Sequence, residues 1–194
     1  MNMDDPYIAD FVNRKYHVSQ LISCPYRVLN EGYNYHMMIG EIFDLGVKAY
    51  YLEKGYKPDV RIRIPVKDTM VIGTIDLMDD RRIVEVKLSN FNEVTITKGL
   101  QQVSIYKYMY KLIYGVEKTA ELWVFSLNEY RTFRPRYSER IWNKLVERLF
   151  FIETWRQKHN SIPRIPSYFD CKVCRLKFNC PYYFKTDAFK QLQL

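Results

Sequence analysis

Two β-like segments separated by a short polar turn constrain this chain more than any other feature. Residues 70–78 and 82–88 are rich in Val, Ile, Thr and Leu, and the polar residues 79–81 separate them. That pattern predicts a β-hairpin, because strands joined by a short polar loop pair with each other. With Asp80-Arg81 as the loop, the register pairs Met78 with Ile83, Leu77 with Val84, and Asp76 with Glu85.

The predicted register brings two like charges together. Facing side chains in an antiparallel pair lie about 4.5–5.5 Å apart at Cβ, so Asp76 and Glu85 would repel each other. Because side chains alternate between faces, Lys87 shares the face of Glu85, whereas Val84 and Val86 take the other face. A divalent cation would offset the repulsion, and hard cations bind carboxylate and carbonyl oxygens. We therefore predict a Mg²⁺ or Mn²⁺ site formed by Asp76, Glu85 and the Val86 carbonyl.

Such a site suits the hydrolysis of phosphodiesters. A bound metal generates hydroxide near neutral pH and neutralises charge in the transition state. On this interpretation Lys87 orients the attacking water or stabilises the developing oxyanion. The alternative is a surface salt bridge between Glu85 and Lys87, since short motifs often match by chance.

The rest of the pattern predicts an α/β fold, a mixed sheet flanked by helices. Ser19 can cap a helix that runs to about Asn30, and a second helix runs from Tyr35 to Lys54 with one apolar stripe at helical spacing. The segment 59–66 alternates as a half-buried strand does. Further helices are expected over 93–114 and 138–159, and strands over 119–126 and 131–136. The stripe of the second helix consists of Met38, Ile42, Leu45, Ala49 and Leu52.

Bulk composition limits the classes of function. At 194 residues and 47% hydrophobic content the chain suits one globular domain, residues 1–194. The start of the chain is acidic and lacks the apolar region of a signal peptide, and no apolar run reaches the length of a membrane span, so we expect a cytoplasmic protein without membrane contact. The net charge of +8 favours a polyanionic partner such as DNA, and the 17 Tyr, 11 Phe and 3 Trp suit base stacking as well as a core.

A third motif makes the hairpin more specific. Gln102 and Tyr106 are spaced i,i+4 and so share one face of the helix predicted over 93–114. Together with Ile75-Asp76 and Glu85-Val86-Lys87, in this order, they resemble the RecB-type branch of the PD-(D/E)XK nucleases. The resemblance implies a restriction-endonuclease-type core in which these five polar residues, Asp76, Glu85, Lys87, Gln102 and Tyr106, are catalytic.

The same family usually carries Gly-x-x-x-His on an upstream helix, with the histidine as a metal ligand. Here the matching segment is Gly40-Glu-Ile-Phe-Asp44, so the resemblance implies Asp44 as the ligand. His36, two turns earlier on roughly the same stripe, is the fallback ligand. Aspartate binds Mg²⁺ well, and the change of residue type alters the expected metal preference.

The four cysteines indicate a second metal site. Cys171, Cys174 and Cys180 are clustered, and Cys24 lies far upstream. Without a secretory context this spacing favours metal binding over disulfides; zinc and iron–sulfur sites share it, and ordinary buried cysteines are the alternative. One distant and three terminal cysteines resemble the iron–sulfur nucleases of the RecB class. That resemblance implies a structural cluster, [4Fe–4S] rather than [2Fe–2S], joining the N- and C-terminal segments, with zinc as fallback.

Taken together, these motifs resemble the CRISPR-associated exonucleases, the fourth Cas family, from about Ser19 to Pro181. The resemblance implies a Mg²⁺- or Mn²⁺-dependent DNA exonuclease acting on single strands or frayed ends, in antiviral defence at the spacer-acquisition step. Integrase proteins are then expected partners, and an oligomer is compatible with the family. Two alternatives stay open: a virus- or recombination-linked single-strand endonuclease, and a DNA-binding module that does not cut. The expected parts are N-terminal helices (19–58), a nuclease core (59–160) and a C-terminal cysteine segment (161–194).

Overall fold

The structure, a computed structural model, describes residues 6–30, 35–165, 170–171 and 174–181. The chain groups into two compact units, one comprising Met1–Gly32 and Asn143–Leu194 and the other Tyr33–Trp142. That the two units together form a single domain over residues 1–194 stays a prediction. No helix in the described ranges is long and apolar enough to cross a membrane.

The elements follow one another in a mixed α/β order. In chain order they are α1 (Pro6–Val12), β1 (Lys15–His17), α2 (Val18–Leu21), α3 (Pro25–Asn30), α4 (Tyr35–Leu52), β2 (Lys57–Val66), β3 (Thr69–Met78), β4 (Arg82–Leu88), α5 (Glu93–Tyr114), β5 (Thr119–Phe125), β6 (Tyr130–Phe133), α6 (Ser138–His159) and a 3₁₀ turn (Lys177–Asn179).

The unit Tyr33–Trp142 is built on a mixed sheet. β2 pairs with β3, β3 with β4 and β5 with β6, all antiparallel, whereas β4 and β5 are parallel. The parallel pair is joined by α5, the helical crossover that such a pair requires. The predicted hairpin register is confirmed at Leu77–Val84 and Met78–Ile83.

Helices cover both faces of this sheet. Val86 and Trp123 are paired across β4 and β5, and both belong to a core cluster against which Phe43 and Val47 of α4 pack. Leu122 precedes Trp123 on β5 and so faces the opposite side, where it meets α5 so closely that a Cβ on Gly99 would lie 2.5 Å from it. The predicted mixed sheet flanked by helices is therefore confirmed.

The ends of α5 explain why its bounds were readable from the sequence. The side chain of Asn92 accepts a hydrogen bond from the Thr95 N–H at 2.8 Å, which caps the first turn. Gly115 follows the last turn with φ of 68°, a left-handed conformation that costs glycine little. The predicted helices over 93–114 and 138–159 are both confirmed.

Salt bridges and stacking hold the other unit around α6. Arg14 and Arg156 both pair with Glu153, at 2.7 and 3.4 Å, and Arg156 also lies 4.9 Å above the ring of Phe11. Tyr16, fully buried, donates its hydroxyl to the Glu153 carboxylate. These contacts join α1 and β1 to α6 within the unit.

The predicted helix from Ser19 to Asn30 is wrong in two respects. The structure has two short helices, α2 and α3, and the N-cap of α2 is His17 and not Ser19. Pro25 disfavours helical geometry at the residue before it and itself starts α3 well, because a first-turn proline loses no hydrogen bond. Cys24 therefore lies in the break between the helices and not inside one.

The apolar stripe predicted for α4 is not the buried face. Ile42 and Leu45 are 59% and 66% exposed, whereas Phe43, Val47 and Tyr51 pack against the sheet. The helix carries two apolar stripes, and periodicity alone does not say which one meets the sheet. The aromatic face is the buried one. The ring centroids of Tyr51 and Trp123 lie 4.8 Å apart, and those of Phe43 and Phe125 lie 5.3 Å apart.

Candidate active site

The site begins where β3 and β4 separate. Paired residues on these strands run only from Met78–Ile83 to Leu77–Val84. At the next step the Asp76 carboxylate accepts a hydrogen bond from the Val86 N–H at 2.8 Å. A side chain thus satisfies a buried backbone donor at the opening, and this contact fixes Asp76 beside the residues of β4 that follow.

Glu85 is buried next to Asp76 with incomplete hydrogen bonding. It is 1% exposed, and its Oε1 lies 2.5 Å from the Lys87 ammonium. Its Oε2 has no hydrogen-bond donor among the described residues. The neighbouring Asp76 carboxylate disfavours a negative charge on Glu85. Asp76 and Glu85 therefore form a dyad of buried carboxyl groups whose like charges disfavour each other.

The ionisation of these groups reflects that arrangement. Burial and then the neighbouring Asp76 charge raise the pKa of Glu85 to about 8. Burial also raises the pKa of Asp76, although Lys87 and the Val86 N–H oppose the shift. For Lys87 burial lowers the pKa, but the Glu85 and Asp76 carboxylates outweigh it, so the net pKa is raised and the ammonium stays charged. Such shifts are typical of functional sites as well as of structural ion-pair networks.

Two further carboxylates and a second lysine extend the site. The Lys48 ammonium lies 2.5 Å from Asp44, 2.5 Å from Asp59 and 3.9 Å from Asp76. The structure thus links Asp44, implied by the family resemblance, to Asp76. The side chain of His36, the fallback ligand, lies outside the described residues.

Asp59 and Lys48 were not found from the sequence, although each left a signal. In the pairing of β2 with β3, Asp59 falls between Pro58–Leu77 and Val60–Ile75, which sets it opposite Asp76. Lys48 lies one helical turn after Asp44, the spacing of an i,i+4 ion pair. Both signals become informative only once Asp76 is known to be a site residue.

Gln102 and Tyr106 lie together on α5, as the i,i+4 spacing predicted. The Gln102 amide nitrogen is 3.3 Å from the Tyr106 hydroxyl. Tyr106 is 4% exposed, and its ring packs on Gly73 of β3, where a Cβ would lie 2.9 Å from the ring. Gly73, three residues before Asp76, has no side chain and so leaves space for the Tyr106 ring. The catalytic roles of Gln102 and Tyr106 stay predictions.

The residues fit a hard cation, although they are not arranged around one. Within the described ranges, no three His, Cys, Asp or Glu side chains are placed to hold a metal ion. Lysine ammonium groups lie against the carboxylates, and the Glu85 Oε2 lacks a donor. Carboxylate oxygens are the ligands that Mg²⁺ and Mn²⁺ prefer, and an unsatisfied buried oxygen is one that a cation would satisfy.

All four cysteines line one pocket in the unit Met1–Gly32 with Asn143–Leu194. Each of the cysteines is half-buried. Arg27, Arg164 and Lys177 line it as well, together with Asp170. Cysteine side chains among more basic than acidic groups suit an anionic cluster, whose charge those cations would offset. Cluster binding itself stays a prediction.

An arginine next to this pocket is held in a buried position. The Arg148 guanidinium donates to the Ser23 carbonyl at 2.6 Å, and its Nε has no acceptor among the described residues. Burial lowers the pKa of Arg148, while the nearby Asp170 and Cys24 oppose that shift. Asp170 in turn pairs with Arg27 at 3.1 Å. The cysteines thus lie in a positively charged environment.

Comparison with known proteins supports the fold. Neither family models nor curated proteins match this sequence. The crystal structure of SSO0001 is similar at a TM-score of 0.63, with 18% identity, covering 87% of this chain and 86% of that chain. The alkaline exonuclease LHK-Exo from Laribacter hongkongensis gives a TM-score of 0.47 at 12% identity, covering 77% of this chain and 94% of that chain. The likeness to SSO0001 shows that the two chains share a fold.

Proposed function

We propose that this protein is a Mg²⁺- or Mn²⁺-dependent DNA nuclease. The observation that carries the proposal is the buried dyad of Asp76 and Glu85 at the opening of β3 and β4, with Lys87 at 2.5 Å. Two adjacent buried carboxyl groups are poorly suited to a purely structural role, because burying them costs free energy. A bound divalent cation would make that arrangement favourable.

The residues take distinct roles in the proposed reaction. When bound, the metal supplies a hydroxide nucleophile and offsets the charge of the phosphoryl group. Asp76, Glu85, Asp44 and the Val86 carbonyl are the residues that would hold it. Lys87, kept charged by its two carboxylate neighbours, is positioned to orient the attacking water or to stabilise the oxyanion.

The substrate is proposed to be DNA, as single strands or frayed ends. The net charge of +8 favours a polyanion. Exonuclease action rests on the family resemblance of the motifs, with single-strand endonuclease action as the alternative. The resemblance is likewise the basis for a role in CRISPR spacer acquisition with integrase partners. The pocket shared by Cys24, Cys171, Cys174 and Cys180 supports a [4Fe–4S] cluster as a second cofactor.

The test is cleavage of end-labelled single- and double-stranded DNA with Mg²⁺, Mn²⁺ or EDTA. We expect metal-dependent cutting by the wild type and none by Asp76→Asn. Lys87→Ala should be slower by about 10²–10³, the usual cost of losing one electrostatic stabiliser in the transition state.

The matched control is Glu121→Gln. Glu121 is also a buried glutamate, on the neighbouring strand β5, but it binds Arg134 and Trp123 and not the site. This variant should cut at close to the wild-type rate. A wild type that binds DNA without cutting in any metal would favour the binding-module alternative, and an active Asp76→Asn would refute the proposed metal site.

A further inference from the structure

Lys48 is placed in the site as a cation would be. Its ammonium contacts carboxylates from three different elements: Asp44 of α4, Asp59 of β2 and Asp76 of β3. Its side chain is only 12% exposed. An ordinary surface lysine pairs with one carboxylate and stays largely hydrated, so this side chain is unusual both in its number of partners and in its burial.

The backbone of β2 supports the same contact. Asp59 has a positive φ of 52°, in the left-handed region that non-glycine residues seldom adopt. It lies opposite Asp76 in the β2–β3 pairing, and its Oδ1 reaches Lys48 at 2.5 Å. Aspartate tolerates this conformation better than most residues, but the conformation still has a cost that a surrounding contact must offset. The ion pair with Lys48 is such a contact.

The Lys48 ammonium offsets the charge of the carboxylates around it, as a bound metal ion would. Asp44, Asp59 and Asp76 would repel one another if no cation lay between them. The repulsion is stronger between Asp44 and Asp76 than with Asp59, because the Asp59 side chain is 57% exposed and so screened by water. Lys48 removes that repulsion in the metal-free protein. The same ammonium would repel a divalent cation that approached these carboxylates.

We propose that Lys48 is the resident counter-ion of the metal site: it positions Asp44, Asp59 and Asp76 in the metal-free protein and competes with the divalent cation for them. This inference rests on the proposed metal-dependent nuclease. It makes Lys48 a positioning residue that sets the metal concentration at which the site fills. Lys87, which pairs with Glu85 instead, keeps its separate role.

The direct test is Mn²⁺ binding, followed by electron paramagnetic resonance, for wild type and Lys48→Met. Removing the competing charge should lower the Mn²⁺ dissociation constant at least about tenfold, given the strength of close charge pairs at partly buried sites. Lys54→Met, in the exposed turn that follows the same helix, removes the same charge outside the site and should bind Mn²⁺ as the wild type does.

Thermal melts provide the second readout. Without metal, Lys48→Met should melt at a lower temperature than the wild type, because the three carboxylates lose their counter-ion. Mn²⁺ should raise the melting temperature of Lys48→Met by more than it raises that of the wild type. Lys48→Gln removes the charge but keeps a hydrogen-bond donor, so it can be measured if the methionine variant does not fold. It should show the same gain in Mn²⁺ affinity.

The outcomes separate the two proposals. Suppose that the wild type binds Mn²⁺ and cuts DNA, but Lys48→Met and Lys48→Gln bind Mn²⁺ no more tightly than Lys54→Met. This result would overturn the role of Lys48 and leave the proposed nuclease activity intact. Protein that binds no Mn²⁺ in any of these variants would overturn the metal site and with it both proposals.

Discussion

At the scale of single residues, the candidate site holds more acidic than basic side chains. Four carboxylates, those of Asp44, Asp59, Asp76 and Glu85, are offset by Lys48 and Lys87, which leaves a formal excess of two negative charges. The pKa of Glu85 is raised to about 8, so a proton on this carboxyl group reduces that excess near neutral pH in the metal-free protein. A divalent cation would remove it, which is why metal binding and proton release should be coupled.

The raised pKa of Glu85 predicts how the metal-free protein responds to pH. In the unfolded chain its pKa is near 4.5, and in the folded protein it is about 8. The folded state therefore holds the proton more tightly, so the free energy of unfolding falls as pH rises from about 4.5 to 8 and then levels off. Thermal melts in EDTA at several pH values measure this loss.

The Glu85→Gln variant isolates the residue responsible. It keeps the shape of the side chain but cannot ionise, so its stability should change much less across that pH window. Glu121→Gln is the control and should keep the wild-type slope, because the dyad is intact. If Glu85→Gln and wild type lost stability in parallel, the raised pKa of Glu85 would be contradicted.

At the scale of elements, the site depends on how strands and helices meet. Where β3 and β4 separate, the Asp76 carboxylate accepts a hydrogen bond from the Val86 N–H. Gly73 allows Tyr106 of α5 to approach β3, and Gly99 allows α5 to approach Leu122. On the other face α4 brings Asp44 and Lys48 to the strands through its aromatic contacts.

The buried face of α4 can be tested by a pair of alanine substitutions. Phe43→Ala should lower the free energy of unfolding by about 2 kcal/mol, since it removes a half-buried ring from the core cluster. Leu45→Ala should change it by less than about 0.5 kcal/mol, because Leu45 is 66% exposed and alanine favours the helix. Urea unfolding measures both, and a larger loss for Leu45→Ala would mean that the stripe predicted from periodicity is the buried one after all.

At the scale of the whole molecule, the two ends of the sequence contribute to one pocket. Cys24 comes from the break between α2 and α3, whereas Cys171, Cys174 and Cys180 come from the last part of the chain. If these thiolates hold a cluster, it ties together segments that are far apart in the sequence. Its binding free energy then contributes to folding.

That arrangement predicts the effect of removing the isolated cysteine. Cys24→Ser should lose iron and visible colour about as completely as Cys171→Ser, with a lower melting temperature, because a four-thiolate site fails when any one ligand is lost. Iron content, the visible spectrum and a thermal melt measure this. Ser19→Ala, on the adjacent helix α2, should keep both iron and stability. Full iron content and normal stability in Cys24→Ser would show that Cys24 is an ordinary half-buried thiol.

The sequence by itself determined the features that depend on local order. The period-2 pattern predicted the hairpin and the two pairs of its register that the structure has, and the glycine at 115 predicted the end of α5. The spacing of charges put Asp76, Glu85 and Lys87 into one hypothesis. These predictions succeed because the direction of a side chain along a strand or helix follows from its position in the sequence alone. The break at Cys24 could also have been read locally, from the proline that follows it.

Only the tertiary structure decided which distant groups meet. Periodicity could not choose between the two apolar stripes of α4, because that choice depends on whether aromatic or aliphatic side chains fit the sheet. Lys48 and Asp59 joined the site for the same reason: α4 and β2 bring them to Asp76 from separate parts of the chain. The meeting of four cysteines in one pocket is likewise a matter of packing, since contacts between residues far apart in sequence are set by how whole elements fit together.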